Sequence, residues 1–253
     1  MERLKVAGID VEIISKGQGR PLLFLHAEDF FGQHRPFLDA LSSRWRVIAP
    51  RHPGFGATAL PSHFMKVDDL AYLYLDLMDA MKLEKPLVVG ASFGGWIALE
   101  LAVRAPAHIE RLALLGTVGV KMGGRYDRDF ADIFQIPEEE VRKLTFANPK
   151  WVPDYASMGD EELQSIARDR QSATHFGWRP YMHNPTLRHW LHRVRMPTLV
   201  VTGDKDGIVA QGYAKKLAEA LPSATLEVVA NAGHYPQIEQ CEAVVGRLTK
   251  FAA

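Results

Sequence analysis

A chain of 253 residues can hold one large α/β domain, or one domain that carries an insertion. Thirty basic side chains balance thirty acidic ones, so no global field draws the protein to nucleic acid or to an anionic membrane, and no basic run with interleaved aromatics offers a nucleic-acid face. With one cysteine, no signal-peptide core and no stretch near the ~18 apolar residues of a membrane span, the expectation is a cytoplasmic protein, monomeric or homodimeric, that acts on a small molecule.

In chain order, Val11 to Ile14 reads as a short strand, followed by a Gly-rich turn at Gly17 and Gly19. Pro21 to Leu25 is a continuous apolar run of strand length, the pattern of a strand buried on both faces. His34 to Leu41 reads as a helix and Val47 to Ala49 as the next buried strand. From Asp68 to Met81 the residues Leu70, Leu73, Leu77 and Met81 recur at helical spacing, with Asp68 or Asp69 able to cap the first turn. Pro86 to Val89 is a fourth buried strand, Trp96 to Arg104 a helix, and Leu112 to Leu115 another strand. Strands alternating with helices imply a mostly parallel sheet covered on both faces.

The strand pattern then stops. Residues 117–195 contain helical segments, one starting near Pro137-Glu138 and another over Asp160 to Ala167, together with many aromatics. The pattern resumes at Thr198 to Val201 and Leu226 to Val229, and a helix from Glu242 to Phe251 ends the chain, with Cys241 beside it as a small apolar filler. Residues 1–116 and 196–253 therefore form one α/β domain, interrupted by a helical insertion of roughly 75 residues.

Gly90-Ala91-Ser92-Phe93-Gly94 matches G-x-S-x-G. The bare pattern is weak. Its place, directly after a buried strand and directly before a helix, is what makes it specific, because a sharp strand-to-helix turn needs small neighbours around a strained serine. The Phe93 N–H can then face a developing oxyanion. A serine hydroxyl needs a base, and His234 sits in a Gly-preceded loop after the last strand, at the same sheet edge as Ser92. An acid to orient it can come from the turn after Thr198–Val201, where Asp204 and Asp206 compete; Asp206 lies further out, towards His234. The His189/His192 pair has no neighbouring carboxylate or cysteine to complete a ligand set, so neither metal nor organic cofactor is expected.

With these three motifs in the order Ser, Asp, His, the chain resembles the α/β-hydrolase superfamily. The resemblance implies an eight-stranded-type twisted sheet with helices on both faces and a helical cap over the serine. Its G-x-x-D turn is matched by Gly203 and Asp206, which favours Asp206 as the acid. Its G-H-x-P-x-x-E loop is matched by Gly233, His234, Pro236 and Glu239. The family's HG-x loop reads His26-Ala27-Glu28 here, which makes the Glu28 N–H the second oxyanion donor and His26 a brace for the loop. Family members usually begin the stretch Arg51-His52-Pro53-Gly54 with Asp; Arg51 is expected to form a new ion pair.

A serine nucleophile argues against epoxide and halide chemistry, whose enzymes on this fold use aspartate. Carbon–carbon hydrolases of ring-cleavage products commonly have Asn before the serine and Trp after the histidine, where this chain has Ala91 and Tyr235. The expectation is therefore a carboxylic ester hydrolase, with a carbon–carbon hydrolase of meta-cleavage-type diketones as the alternative, and a non-catalytic ligand-binding member of the fold as the reading from a different class. Cap aromatics point to an apolar or aromatic ester, although most of them are expected to pack the cap itself. Trp178, Arg179 and Tyr181 are the candidate substrate contacts.

Overall fold

The computed structural model describes all 253 residues. Its main sheet runs in the order β1 (Glu2–Val6), β2 (Ile9–Lys16), β4 (Arg46–Pro50), β3 (Pro21–Leu25), β5 (Leu87–Ala91), β6 (Arg111–Leu115), β9 (Thr198–Gly203), β10 (Ala224–Val229). The β1–β2 and β2–β4 pairs are antiparallel and every other pair is parallel. The apolar runs are buried on both faces, as two-sided coverage requires. Leu23, Leu25, Val88, Leu114 and Val200 enter one core layer, and their alternates Leu22, Phe24, Val89, Ala113 and Val201 enter the other. Each such leucine contributes roughly 1.5–3 kcal/mol by leaving water.

Helices α2 (Val67–Ala80) and α3 (Phe93–Arg104) cover the first face, and α1 (Arg35–Leu41) and α9 (Cys241–Ala252) the second. The segment between β6 and β9 holds α4 (Glu138–Thr145), α5 (Asp160–Gly177), α6 (Leu187–Trp190) and two short strands, β7 (Gly119–Val120) and β8 (His183–Asn184), which pair with each other. Helices α7 (Tyr213–Ala220) and α8 (Pro236–Glu239) complete the chain. No helix is long and apolar enough to cross a membrane.

Several expectations shift. Helix α3 begins at Phe93, three residues before Trp96, so the serine sits at the helix's own N-terminus. Neither Asp68 nor Asp69 is the cap residue of α2; Asp69 lies at its third position and accepts the Met65 and Lys66 N–H groups. Strand β10 is an edge strand, and Val228 is half exposed rather than buried. Helix α5 runs ten residues past Ala167, its continuation held by the ion pairs of Asp169 and Arg170 and by Ala173 and Phe176, which enter the first core layer. Cys241 is only half buried, at the first position of α9.

Candidate active site

Ser92 has φ +47° and ψ −113°, a backbone conformation that side chains rarely adopt. The turn exists because its neighbours are glycine. A Cβ on Gly90 would collide with the Gly94 carbonyl, and one on Gly94 with the carbonyls of Leu25 and His26. The strained turn lifts Ser92 Oγ to within 2.7 Å of His234 Nε2. On the other side of the imidazole, Nδ1 lies 2.9 Å from Asp206 Oδ2 and 3.1 Å from Oδ1. With its proton on Nδ1, facing the carboxylate, the ring presents a free Nε2 that accepts from the serine hydroxyl. Burial alone lowers the imidazole pKa; the charge and hydrogen bond of Asp206 outweigh it, so the net shift is upward.

Asp206 is aimed by its own turn, for its Oδ1 also accepts the N–H groups of Ile208 and Val209. Asp204 turns away and accepts the Ala232 N–H at 3.2 Å. The cap takes part as well. The last carbonyls of a helix have no partner within it; at the end of α4, Leu144 O accepts the Gly207 N–H and Thr145 O accepts the His234 N–H. One helix end thereby holds both the acid turn and the histidine loop. Glu239 completes the clasp by accepting the N–H groups of Gly233, Ala147 and Asn148.

His26 braces its loop through complementary neutral tautomers. Its Nε2 accepts the His52 N–H at 3.0 Å while its Nδ1 faces the Ala27 carbonyl at 2.6 Å. His52 in turn donates from Nε2 to the His26 carbonyl and meets the Tyr74 hydroxyl. Full burial pushes His26 well below the usual imidazole range and His52 down to about 3, so the pair stays uncharged.

The Phe93 N–H, expected to face a developing oxyanion, already has a partner. The Phe93 N–H does not face open space; it donates to the side chain of Glu28, whose Oε2 is 3.2 Å away. The other carboxylate oxygen accepts the Tyr235 hydroxyl at 2.9 Å. Sequence reasoning assigned only the Glu28 N–H a role, and no local pattern signals where the side chain points.

A cavity of about 440 Å³ lies between sheet edge and cap, lined by Glu28, Phe30, Phe134, Val141, Arg170 and Tyr235 among others. Ser92 and His234 are fully buried and do not line it. Trp178, Arg179 and Tyr181 are not among its lining residues. Trp178 is 55% exposed and Arg179 is exposed. Tyr181 spends its hydroxyl on the Ala131 carbonyl and the Ile133 N–H. All three follow α5, and Trp178 and Tyr181 pack behind the cavity-lining Phe134, with ring centroids 5.8 Å from it. Among the cap aromatics Phe134 lines it, while Phe130 packs on Tyr213 and Phe176 on Phe93.

Arg170, from the middle of α5, is the charged feature that sequence reading missed. It binds Asp29 at 3.0 Å, both oxygens of Glu138 and the Tyr155 hydroxyl. Burial pushes the Asp29 carboxyl up to about 6 despite that arginine. Arg51 does form the expected ion pair, with Asp169 at 3.0 Å, buried on both sides.

Fold and site together define a serine hydrolase: a serine on a strained strand-to-helix turn, a histidine and an aspartate in hydrogen-bonded series at one sheet edge. The chain belongs to the α/β-hydrolase fold family, whose model matches residues 20–240. It is 28% identical to 2-hydroxymuconate semialdehyde hydrolase of a Pseudomonas species, over 98% of this chain and 92% of that protein. It is 26% identical to 2-hydroxy-6-oxo-2,4-heptadienoate hydrolase of Pseudomonas putida, over 97% and 94% of the two chains. The crystal structure of a meta-cleavage product hydrolase from Pseudomonas fluorescens superposes with a TM-score of 0.80 at 24% identity, covering 99% of this chain and 97% of that one.

Proposed function

We propose that the protein is a serine-dependent hydrolase that cleaves the carbon–carbon bond beside a ketone in a meta-cleavage-type diketone. The observation that carries serine catalysis is the unbroken series Ser92 Oγ, His234, Asp206 at 2.7 and 2.9 Å. Full-length similarity to two hydrolases of ring-cleavage dienoates supports the choice of bond, and it reverses the preference for esters drawn from Ala91 and Tyr235.

Ser92 Oγ attacks the carbonyl carbon as His234 takes its proton, and the oxyanion accepts from the N–H groups of Phe93 and Glu28. As the tetrahedral species collapses, the carbon–carbon bond breaks and its electron pair leaves as a delocalised carbanion. His234 returns the proton to that fragment. Water, deprotonated by the same histidine, then releases the acid from Ser92. Neither metal nor organic cofactor enters these steps.

An ester substrate would follow the same path with an alcohol as leaving group. The specific observation favouring it is Tyr235: its hydroxyl is committed to Glu28, in the position where the carbon–carbon hydrolases commonly carry Trp. Parallel assays separate the readings. A 2-hydroxy-6-oxo-dienoate should lose its absorbance in the presence of the protein and not with Ser92→Ala. Turnover of p-nitrophenyl acetate and butyrate alone would favour the ester. No turnover of either, with no covalent labelling of Ser92, would leave the ligand-binding reading.

A further inference from the structure

We infer that the Glu28 side chain is an internal plug of the oxyanion pocket, and that a substrate becomes reactive by displacing it. The inference rests on the serine-hydrolase reading above and deepens it. Three observations converge on one carboxylate. Its Oε2 takes the Phe93 N–H, the donor next to the nucleophile, at 3.2 Å. Its Oε1 takes the hydroxyl of Tyr235, the residue after the catalytic histidine, at 2.9 Å. Glu28 is 6% exposed and lines the cavity that Ser92 and His234 do not reach.

A carboxylate oxygen accepting a backbone N–H occupies the position that a substrate oxyanion needs. Both are anionic acceptors, and two cannot share one donor at close range. The Glu28 backbone can keep its assigned role while the side chain swings out, because the N–H and the carboxylate belong to the same residue but to different branches of it. The cavity gives the side chain somewhere to go. Asp29 and Glu138 already neutralise Arg170 there, so no unpaired cation captures Glu28 permanently. Wild-type Ser92 is thus held in reserve, and Glu28 sets which substrates react: those that bring enough binding energy in the cavity to move it.

The test reads the rate at which a fluorophosphonate probe labels Ser92, since its phosphoryl oxygen must enter the same pocket. In Glu28→Ala, which keeps the backbone N–H, labelling should accelerate by on the order of tenfold to a hundredfold, the span expected for removing a charged hydrogen-bond competitor. Tyr235→Phe, which removes only one anchor of the plug, should accelerate it less. A merely structural Glu28 predicts slower labelling in both. Equal or slower labelling in Glu28→Ala with an unchanged melting temperature overturns the plug and leaves the serine-hydrolase reading standing. If Glu28→Ala does not fold, Tyr235→Phe decides by the same sign. Absence of labelling in wild type and in both folded variants overturns the plug and the serine-hydrolase reading together.

Discussion

The sheet core and the cap solve the same problem, holding functional groups in place, with different materials. Around Ser92 the core uses apolar burial and backbone contact. Phe24, Leu25, Val89 and Phe93 are fully buried, and two glycines allow the strand and helix to meet. The cap shares that apolar core through Ala173, Phe176 and Met182, and is fastened by charge besides. Arg51 reaches from the loop after β4 to Asp169 on α5, and Asp169 also accepts the Gly56 N–H at 2.7 Å. Arg170, one residue on, ties Asp29 of the oxyanion loop to Glu138 of α4. Apolar packing fixes where chemistry occurs; paired charges fix how the pocket above it is closed.

The largest effects should come from the core. Ser92→Ala or His234→Ala should each lower kcat roughly 10⁶-fold, because the groups act as a unit, while the melting temperature stays close to wild type. Asp206→Asn should cost about 10⁴-fold, through loss of the correct tautomer, and Asp204→Asn far less. Steady-state kinetics on the best dienoate or ester check both, and a crippled Asp204→Asn beside a mild Asp206→Asn would reverse the acid assignment.

Cap substitutions should move stability and KM more than the chemical step. Arg51→Ala leaves Asp169 buried without its cation, which typically costs about 3–5 kcal/mol. Thermal and denaturant unfolding should show that loss, and replacing both partners with apolar residues should recover most of it. An equal loss from the double replacement would mean that the pair holds the cap through something other than its charges.

The acid side of the pH profile sharpens the same contrast. His234 is raised above its ordinary 6.5, with burial opposing the shift and Asp206 overriding it. The base must be neutral to act, so activity falls as pH drops through that raised value. The lower limb of kcat/KM should therefore have its midpoint above 6.5, and Asp206→Asn should move it down. Smallest of all, Trp178→Ala and Arg179→Ala should leave kcat/KM close to the wild-type level, because both side chains are exposed and neither lines the cavity.

These differences also explain what the amino-acid sequence discloses. Strands such as Leu22–Leu25 and Leu87–Val89 are legible because two-sided burial writes an unbroken apolar run, and the three catalytic candidates stand out because each sits in a turn just past such a run. The edge strand β10 carries a weaker version of the pattern and reads as more buried than it is. The cap's fastenings leave no local trace: Arg51 and Asp169 are 118 positions apart, and either alone looks like a solvated charge. Arg170 was hidden in the same way inside a polar helix. Glu28 draws attention only through its backbone N–H, by resemblance to the family's HG-x loop, while its side chain is held by Tyr235, 207 positions away.

The central claim is that Ser92 becomes acylated with His234 as its base. Acid-quenched mixtures of the protein with p-nitrophenyl acetate, analysed by intact mass and peptide mapping, test it directly. The account predicts an acetyl adduct on Ser92 that forms in the wild type, accumulates faster in Glu28→Ala, and is missing from His234→Ala. An adduct on another residue, or one that forms equally fast without His234, would contradict it.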